Sequence, residues 1–186
     1  MENKDIRMQI QSTPNPNALK FVLNVPVKTE GKATYKSAEE CHTNPMARQL
    51  FNVPHVSEVY FFENYITITQ DGEGDWDAME EAIKKIILDS ISQHDPNFKV
   101  EEPLKKTQII SSPDIHTIEE ILDNTVRPAL QADGGDLQIL SLENNILTIN
   151  YHGACGSCPS SAMGTLKAIE NILREEYNPE LIVQLG

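Results

Sequence analysis

Cysteine is scarce in this sequence: its 186 residues include three, at positions 41, 155 and 158. An odd and small number does not support a disulfide framework, so we expect reduced thiols, as in a cytosol. The sequence also lacks any apolar run near the roughly 20 residues that cross a bilayer. Its first ten residues, MENKDIRMQI, have neither the apolar core of a secretory signal nor the Arg- and Ser-rich composition of a transit peptide. These absences favour a cytoplasmic protein with no membrane partner.

Basic residues are few as well. The chain carries 15 Lys and Arg against 28 Asp and Glu, a formal net charge of −13. Nucleic acids and anionic membranes bind proteins whose Lys and Arg side chains replace counterions, so this balance argues against both as partners. The 39% of hydrophobic residues is that of a chain that buries a core, and the length accommodates one or two domains.

Proline and mixed charge mark a boundary between two compact regions. The segment PNFKVEEPLKKTQIISSP, residues 96–113, contains three prolines and is typical of a linker, with a short strand at its start. We therefore predict an N-terminal domain over 1–102, a linker over 103–113 and a C-terminal domain over 114–186. The sequence shows no internal repeat.

The first region has the pattern of a small α+β sandwich, a mixed sheet with helices. Extended runs flank the turn-forming TPNPN, and a weaker Gly- and Lys-containing stretch follows. NPMARQLFNV is a short helix candidate, and VSEVYFFENYITITQ predicts a hairpin that turns at Glu63-Asn64. A longer helix is predicted from Asp75 to Ser90, with apolar residues at helical spacing.

The second region predicts the element order α-β-β-α-β. Thr117 and Glu120 fit a capping box at the start of the first helix, and Pro128 should end or kink it. The turn DGGD leads into strands LQILSL and ILTINY, joined at Asn144-Asn145, which tolerate left-handed conformations. A helix over residues 159–177 and a final strand LIVQL complete the region.

The cysteine pair lies in the stretch YHGACGSCPSSAMG, between a strand and a helix. Cys155 and Cys158 should therefore lie near free backbone N–H groups and the positive end of the helix, which favour the thiolate. Gly153 and Gly156 permit unusual backbone angles, and Pro159 suits a first helical turn. These three residues are expected to shape the loop.

The cysteines stand in an uncharged surround. From Leu147 to Leu166 the chain has no Asp, Glu, Lys or Arg. Four thiolates on an oxidised iron–sulfur cluster leave a net charge of about −2, which a nearby carboxylate would oppose. The core of a buried interface would show the same composition, so the observation supports a cluster site without deciding it.

Three interpretations of the pair compete: a redox dithiol, a shared metal site and an incidental pair. A thioredoxin-like dithiol belongs with a βαβ pattern, whereas two strands in hairpin order precede these cysteines. A zinc site or a cluster needs four ligands, and the chain offers no second cysteine pair and only five scattered histidines. Either metal interpretation therefore takes its remaining ligands from a second copy of the chain.

Two other candidates have ordinary structural explanations. The DGGD turn, residues 133–136, lacks the rest of a calcium loop and the Lys of a phosphate loop, so a glycine helix cap and tight turn are expected. Cys41 has no neighbours that would complete a site, and we expect a small, semi-buried or exposed residue with no role in a site.

The sequence resembles the NifU-like (Nfu-type) iron–sulfur cluster scaffold and carrier proteins. RPALQADGGDLQIL and GACGSCPSSAMGTLKAIENILREEY are similar to their C-terminal domain. STPNPNALKF and NPMARQLFNVPHVSEVYFFENYITIT are similar to their N-terminal domain. The resemblance covers nearly the whole chain and matches residues 27–40 and the linker least.

The resemblance implies a labile cluster, most often [4Fe–4S] and otherwise [2Fe–2S]. Cys155 and Cys158 of two chains would bridge it, so the cluster-bound form would be a homodimer. It further implies transfer to apo iron–sulfur proteins, an upstream assembly scaffold as donor, and no enzymatic activity. The start of the chain lacks the targeting extension of organellar members, which again favours a cytoplasmic location. A thiol–disulfide oxidoreductase and a zinc-bridged interaction module are the alternative functions.

Overall fold

The computed structural model describes residues 5–100, 113–156 and 159–186, the side chains of 159–163 excepted. The chain divides into two compact units, Met1–Glu101 and Glu102–Gly186. Each unit has its own sheet and its own hydrophobic core. The predicted fold class, α+β with two small domains, is confirmed.

The first unit is built on a five-stranded sheet in the order β1-β2-β5-β4-β3. Every neighbouring pair is antiparallel, in place of the mixed sheet that we expected. A parallel pair needs a long crossover, usually a helix, and the 15-residue helix of this unit follows the last strand instead. The strands are β1 (Met8–Ser12), β2 (Ala18–Leu23), β3 (Lys28–Tyr35), β4 (Val56–Glu63) and β5 (Tyr65–Gln70).

Strand β3 is an element that the sequence pattern did not reveal. It forms the edge of the sheet, its residues 29–31 are exposed, and Gly31 has φ 66°. Its pairing with β4 shifts register between Lys28 and Lys32, so the alternation of buried and exposed residues is broken there. An irregular edge strand has little periodicity for a pattern to detect.

Both predicted helices of the first unit are present. Helix α1 (Pro45–Leu50) is capped by the Asn44 side chain, which accepts a hydrogen bond from the Ala47 N–H at 3.1 Å. Helix α2 (Trp76–Ser90) is capped in the same way by Asp75. Its buried residues pack on the sheet with apolar side chains of the central strands; they are Met79, Ile83 and Ile87.

Residues 96–100 belong to the first unit and form a turn, so the short strand predicted at the start of the linker is wrong. The Phe98 side chain is buried in the core, and the Pro96 carbonyl accepts a hydrogen bond from the Thr29 N–H at 3.0 Å. Because Phe98 packs in this core, residues 96–100 are part of the N-terminal unit and not of the linker. The predicted linker, 103–113, lies outside the described residues except for Pro113.

The second unit has the predicted α-β-β-α-β order, with its first helix in two parts. Its three-stranded sheet has the order β6-β7-β8, in which β6 and β7 are antiparallel and β7 and β8 are parallel. No helix in the described part of the chain is long and apolar enough to cross a membrane. The elements are α3 (Pro113–Thr125), α4 (Arg127–Ala132), β6 (Gly135–Glu143), β7 (Ile146–Gly153), α5 (Pro159–Glu176) and β8 (Ile182–Leu185).

Helix α3 begins four residues earlier than predicted. The capping box at Thr117 and Glu120 is wrong, because Thr117 lies inside the helix and its hydroxyl donates to the Pro113 carbonyl at 3.0 Å. Proline is favoured in a first turn, where the missing N–H is not needed. The break that Pro128 predicted is confirmed, since Val126 separates α3 from α4.

The turns of the second unit also follow their chemistry. Asn144 and Asn145 both have left-handed backbone, with φ 50° and 65°, and they connect β6 to β7 as predicted. Gly134, with φ 81°, follows Asp133, the C-cap of α4, and donates its N–H to the Gln131 carbonyl. The DGGD segment is thus a helix cap and turn, as expected.

A partly buried histidine is expected to make the first unit sensitive to pH. His94 stacks on Phe61 with ring centroids 5.8 Å apart, and its Nε2 donates to the Val27 carbonyl at 2.7 Å. Burial lowers the pKa of His94 below its ordinary value, although the Val27 carbonyl and Asp95 oppose the shift. The folded state therefore holds a neutral imidazole that the unfolded chain would protonate at mildly acidic pH.

We predict that the first unit loses stability as the pH falls through about 6.5, the ordinary pKa of histidine. His94 is then protonated in the unfolded chain but not in the folded chain. This difference lowers the free energy of unfolding by at most about 1.4 kcal/mol per pH unit. Trp76, the chain's single tryptophan, reports the urea unfolding of this unit at pH 7.5 and 5.5. His94→Phe keeps an aromatic ring that can stack but removes the group that titrates. Its free energy of unfolding should therefore fall less between pH 7.5 and 5.5 than that of the wild-type chain, and an equal fall would contradict the prediction.

Candidate functional site

Cys155 lies in the turn that follows β7. Gly153 ends the strand with φ 63°, a conformation that favours glycine, as predicted. The Ala154 N–H donates to the Gly134 carbonyl at 3.2 Å, and the Gly156 N–H donates to the Gly153 carbonyl at 3.0 Å. These two bonds fix the backbone on both sides of Cys155. The second predicted ligand, Cys158, lies outside the described residues.

Gly135, at the start of β6, lies directly beneath the Cys155 side chain. A Cβ atom at position 135 would stand 2.4 Å from Cys155 Sγ, 2.9 Å from the Cys155 nitrogen and 2.9 Å from the His152 oxygen. The sulfur could rotate away, but the two backbone atoms could not. The cysteine loop can therefore pack on β6 only if residue 135 has no side chain.

An ion-pair network holds the start of β6 against the helices. Arg127 Nε lies 3.4 Å from the Oδ1 of Asp136, whose side chain is 4% exposed, and the same guanidinium bonds Glu119 and Asp123. Burial by itself lowers the Arg127 pKa, but these carboxylates outweigh it and the net pKa is raised. Because breaking a buried pair leaves an uncompensated charge, the network fixes Asp136, the neighbour of Gly135.

Tyr151 places an unpartnered hydroxyl near the cysteine. Its ring is buried in the core that also includes Cys155, and in the described part of the chain its hydroxyl has no hydrogen-bond partner. Burial raises the pKa of Tyr151 to about 12, and interaction with Cys155 adds to the rise. A buried hydroxyl without a partner loses its hydrogen bonds to water, so the Tyr151 hydroxyl lowers the stability of the second unit.

The cysteine loop also opens a βαβ unit, which sequence reasoning missed. Strand β7, helix α5 and strand β8 follow one another, and β7 and β8 pair in parallel. The absence of this pattern was the argument against a redox dithiol, so that argument no longer holds. The low solvent access of Cys155 is a different argument against a redox dithiol. Its side chain is 9% exposed, whereas an attacking thiolate is normally accessible.

Cys41 belongs to the other unit. It belongs to the core of the first unit, 2% exposed, and its thiol donates to the Ser37 carbonyl at 3.3 Å. Burial raises the pKa of the Cys41 thiol to about 12, and Glu40 adds to the rise. Among the described residues, no group of three or more His, Cys, Asp and Glu side chains is arranged to hold a metal ion.

Gly135 and Arg127 are the site residues that sequence reasoning missed. The DGGD segment was interpreted as a local turn, and nothing local indicates that its second glycine contacts a cysteine 20 positions later. A signal was present in the buried Asp136, because a carboxylate inside a strand pattern requires a partner.

We predict that Gly135→Ala destabilises the second unit by about 1–3 kcal/mol, the usual cost of forcing a methyl group into a packed site. Hydrogen exchange of the β6 and β7 amides in the full chain measures the change. Gly164→Ala is the matched control. A Cβ there meets nothing within 4 Å, and replacing a helical glycine should stabilise by up to about 1 kcal/mol. Unchanged exchange in Gly135→Ala would contradict the close packing.

We predict that Tyr151→Phe raises the free energy of unfolding of the second unit by about 1 kcal/mol, because it removes the unpartnered hydroxyl and keeps the ring. The same amide exchange checks this in the apo-protein. Tyr177→Phe is the control, since the Tyr177 hydroxyl interacts with the Asp114 carboxylate and its removal should give no gain. A destabilised Tyr151→Phe would mean that the hydroxyl has a partner.

Two family models match the chain. The model described as scaffold protein Nfu/NifU N terminal matches residues 8–94, and the NifU-like domain matches residues 118–184. The first match lies in the first unit and the second match in the second unit.

Curated relatives match over most of the chain. A protein of Drosophila grimshawi named "NFU1 iron-sulfur cluster scaffold homolog, mitochondrial" is 34% identical over 177 residues, 94% of this chain and 59% of that protein. The protein of the same name from Drosophila virilis is 33% identical over 184 residues, 97% of this chain and 61% of that protein. The chain thus spans about six tenths of the length of these relatives.

Two solved structures show partial likeness. The NMR structure of a NifU-like protein from Saccharomyces cerevisiae matches 52% of this chain and 87% of that chain, with 21% identity and a TM-score of 0.46. The crystal structure of protein SAV1430 from Staphylococcus aureus matches 44% of this chain and 98% of that chain, with 16% identity and a TM-score of 0.40.

The predicted cytoplasmic location is wrong, because the matched relatives are named mitochondrial. The prediction relied on the first ten residues. Since the chain spans only part of those relatives, its start has no bearing on the compartment.

The name of the family settles one further point. The N-terminal family model and both relatives are named for a scaffold, a role without catalysis, so the prediction that the chain is not an enzyme is confirmed. With an Nfu N-terminal domain followed by a NifU-like domain, the chain belongs to the Nfu/NifU iron–sulfur cluster scaffold family.

Proposed function

We propose that the chain is an iron–sulfur cluster carrier. It binds a labile cluster, [4Fe–4S] in the first instance, between Cys155 and Cys158 of two copies and passes it to apo-proteins. The observation that carries the proposal is the anchored Cys155 at the end of β7, three positions before Cys158 in an uncharged segment. The cluster is the cargo of this protein.

The ligand count requires the second copy. Iron–sulfur clusters are held by four thiolates, and each chain has two cysteines in this loop. Cys41 cannot complete the set, because it is buried in the core of the first unit and burial raises the pKa of its thiol to about 12. Two identical chains related by a two-fold axis supply four thiolates with no further ligand.

The anchoring of Cys155 is suited to loading. Two hydrogen bonds hold the backbone on either side of the residue, while its sulfur lies over Gly135 and turns about χ1 alone. The backbone thus stays in position whether or not the sulfur carries iron.

A shared cluster also explains why the cargo is released. A ferredoxin-type centre takes its cysteines from one chain and is retained as a chelate. Here each chain holds only half of the ligands, so separation of the two copies leaves iron open to an incoming thiolate of a recipient. The interface between the copies therefore sets the rate of transfer.

A thiol–disulfide oxidoreductase is the second candidate, and the βαβ unit that begins with β7 favours it. The burial of Cys155 does not, since a nucleophilic thiolate needs access to the disulfide that it attacks. Reduction of insulin disulfides by the metal-free chain separates the two functions. Turnover without iron would support the redox enzyme, and its absence together with cluster binding would support the carrier.

Replacement of either loop cysteine should abolish cluster binding. Anaerobic reconstitution of the wild-type chain with iron and sulfide should give a brown protein with about two irons per chain and the mass of a dimer. Cys155→Ala and Cys158→Ala should each remain colourless and monomeric, because each leaves a pair of chains with only two thiolates. Iron analysis, Mössbauer spectra and native mass measure the outcome.

The matched control for this experiment is Cys41→Ala, which removes the third thiol and should keep the full iron content. Loss of the cluster in Cys41→Ala would overturn the ligand assignment. A wild-type chain that binds its cluster as a monomer would overturn the shared site, and zinc that iron and sulfide do not displace would indicate an interaction module instead.

A further inference from the structure

The sheet of the second unit has one face against its helices and one open face. Core residues of β6 and β7, such as Leu137 and Ile149, point toward the helices, so the alternate residues point the other way. The strand register places them side by side: Gln138 opposite Asn150, and Thr148 opposite Gln184. We call this surface the open face and define it by Gln138, Thr148, Asn150, His152, Ile182 and Gln184.

The open face is uncharged in a strongly acidic chain. None of its six residues is among the 28 acidic or 15 basic residues of the sequence. Its polar groups bond one another: His152 and Gln138 are 3.2 Å apart, and the Gln184 amide donates to Thr148 at 3.1 Å. Two carboxylates border it in the register. Asp136, opposite His152, is 3% exposed and pairs with Arg127, whereas Glu143, opposite Ile146, is exposed at the end of the sheet away from Cys155.

Strand β8 adds apolar surface to the open face. Ile182 is 48% exposed and Leu185 is 47% exposed, and these are the exposed large apolar side chains among the described residues. Both lie on β8, the edge strand of the sheet. Ile182, opposite Ile146, is on the open face, whereas Leu185, opposite the core residue Ile149, has the alternation of the helix side. A neutral surface with exposed apolar side chains along one edge is typical of a contact site.

The open face is continuous with the cysteine loop. Asn150 and His152 lie on β7, five and three positions before Cys155, and β7 leads directly into the loop. A molecule seated on the open face therefore borders the sulfur ligands.

We propose that the open face is the surface on which a second copy of the chain docks when the two share a cluster. This inference rests on the proposed function and adds the place of contact. Two copies that each carry a net charge of −13 repel one another, so their contact must be a surface that is neutral on both sides. A two-fold contact uses the same patch twice, and the open face is the neutral patch that adjoins Cys155.

The size of the open face fits a contact that opens. Three strands about 4.8 Å apart and roughly five residues long cover a few hundred Å², well below the about 800 Å² per partner of a stable complex. The open face does not hold two copies together by itself. The bonds from four sulfurs to the cluster supply the remainder, so the dimer exists while the cluster is present and separates when it leaves.

Charge placed on the open face tests the proposal. In Asn150→Asp and Asn150→Lys, each variant alone brings like charges together across the contact, so the dimer fraction after reconstitution with iron and sulfide should fall about tenfold or more. An equimolar mixture of the two variants pairs opposite charges and should recover both dimer and iron. Recovery in the mixture also shows that each variant is folded.

Asn124→Asp and Asn124→Lys are the matched controls, because Asn124 is exposed on α3, on the helix side of the sheet. These controls should load and dimerise as the wild-type chain does. Asn150 variants that retain wild-type mass and iron content would overturn the docking face and leave the cluster assignment, tested by Cys155→Ala, in place. A wild-type chain that loads iron as a monomer would overturn both.

Discussion

The close approach of Gly135 to Cys155 is the constraint on which the rest of the site depends. The cysteine turn can lie on the start of β6 only because residue 135 has no side chain, and the backbone bond from Ala154 to Gly134 holds the two segments together. That pairing continues the antiparallel register of β6 and β7, in which Gly135 is opposite Gly153. The position of Cys155 thus results from ordinary sheet pairing that extends one residue beyond the strand.

The helices of the second unit are connected to the start of β6 by the guanidinium group of Arg127. Arg127 follows the break between α3 and α4, and it bonds two acidic residues of α3 and the buried Asp136 of β6. Because Asp136 adjoins Gly135, a shift of the α3–α4 corner would also displace Gly135, on which the cysteine loop packs. The cysteine loop, the sheet and the α3–α4 corner are therefore held together by one continuous set of contacts.

Local chemistry was sufficient to predict most elements of this fold. The Asn144-Asn145 turn, the helix break before Pro128 and the spacing of Met79, Ile83 and Ile87 all depend on neighbours in sequence, and each prediction agrees with the structure. The failures have physical causes of a different kind. Strand β3 carries a bulge and an exposed stretch that hide its periodicity, and α3 begins at a proline whose suitability for a first turn competes with the capping box downstream.

The features of the candidate site also separate into those that contiguous residues reveal and those that depend on folding. Cysteine spacing, the loop glycines and the uncharged segment are properties of contiguous residues, so the sequence alone led to Cys155, although the ligand roles of Cys155 and Cys158 are still predictions. Gly135 and Arg127 matter only because folding brings distant segments together. The one signal in the sequence, the carboxylate of Asp136, requires a partner without identifying it. The parallel pairing of β7 with β8 was missed for the same reason, since the helix α5 separates the two strands along the chain.

The burial of Cys41 has a consequence for the integrity of the chain. A protein with an odd number of thiols ordinarily risks a mispaired bridge or a stray metal ion at the unmatched one. Here folding withdraws that thiol into an apolar interior, hydrogen-bonded to the Ser37 carbonyl and with its ionisation suppressed. The folded chain therefore has one thiol, that of Cys41, that is protected from disulfide exchange and from stray metal ions.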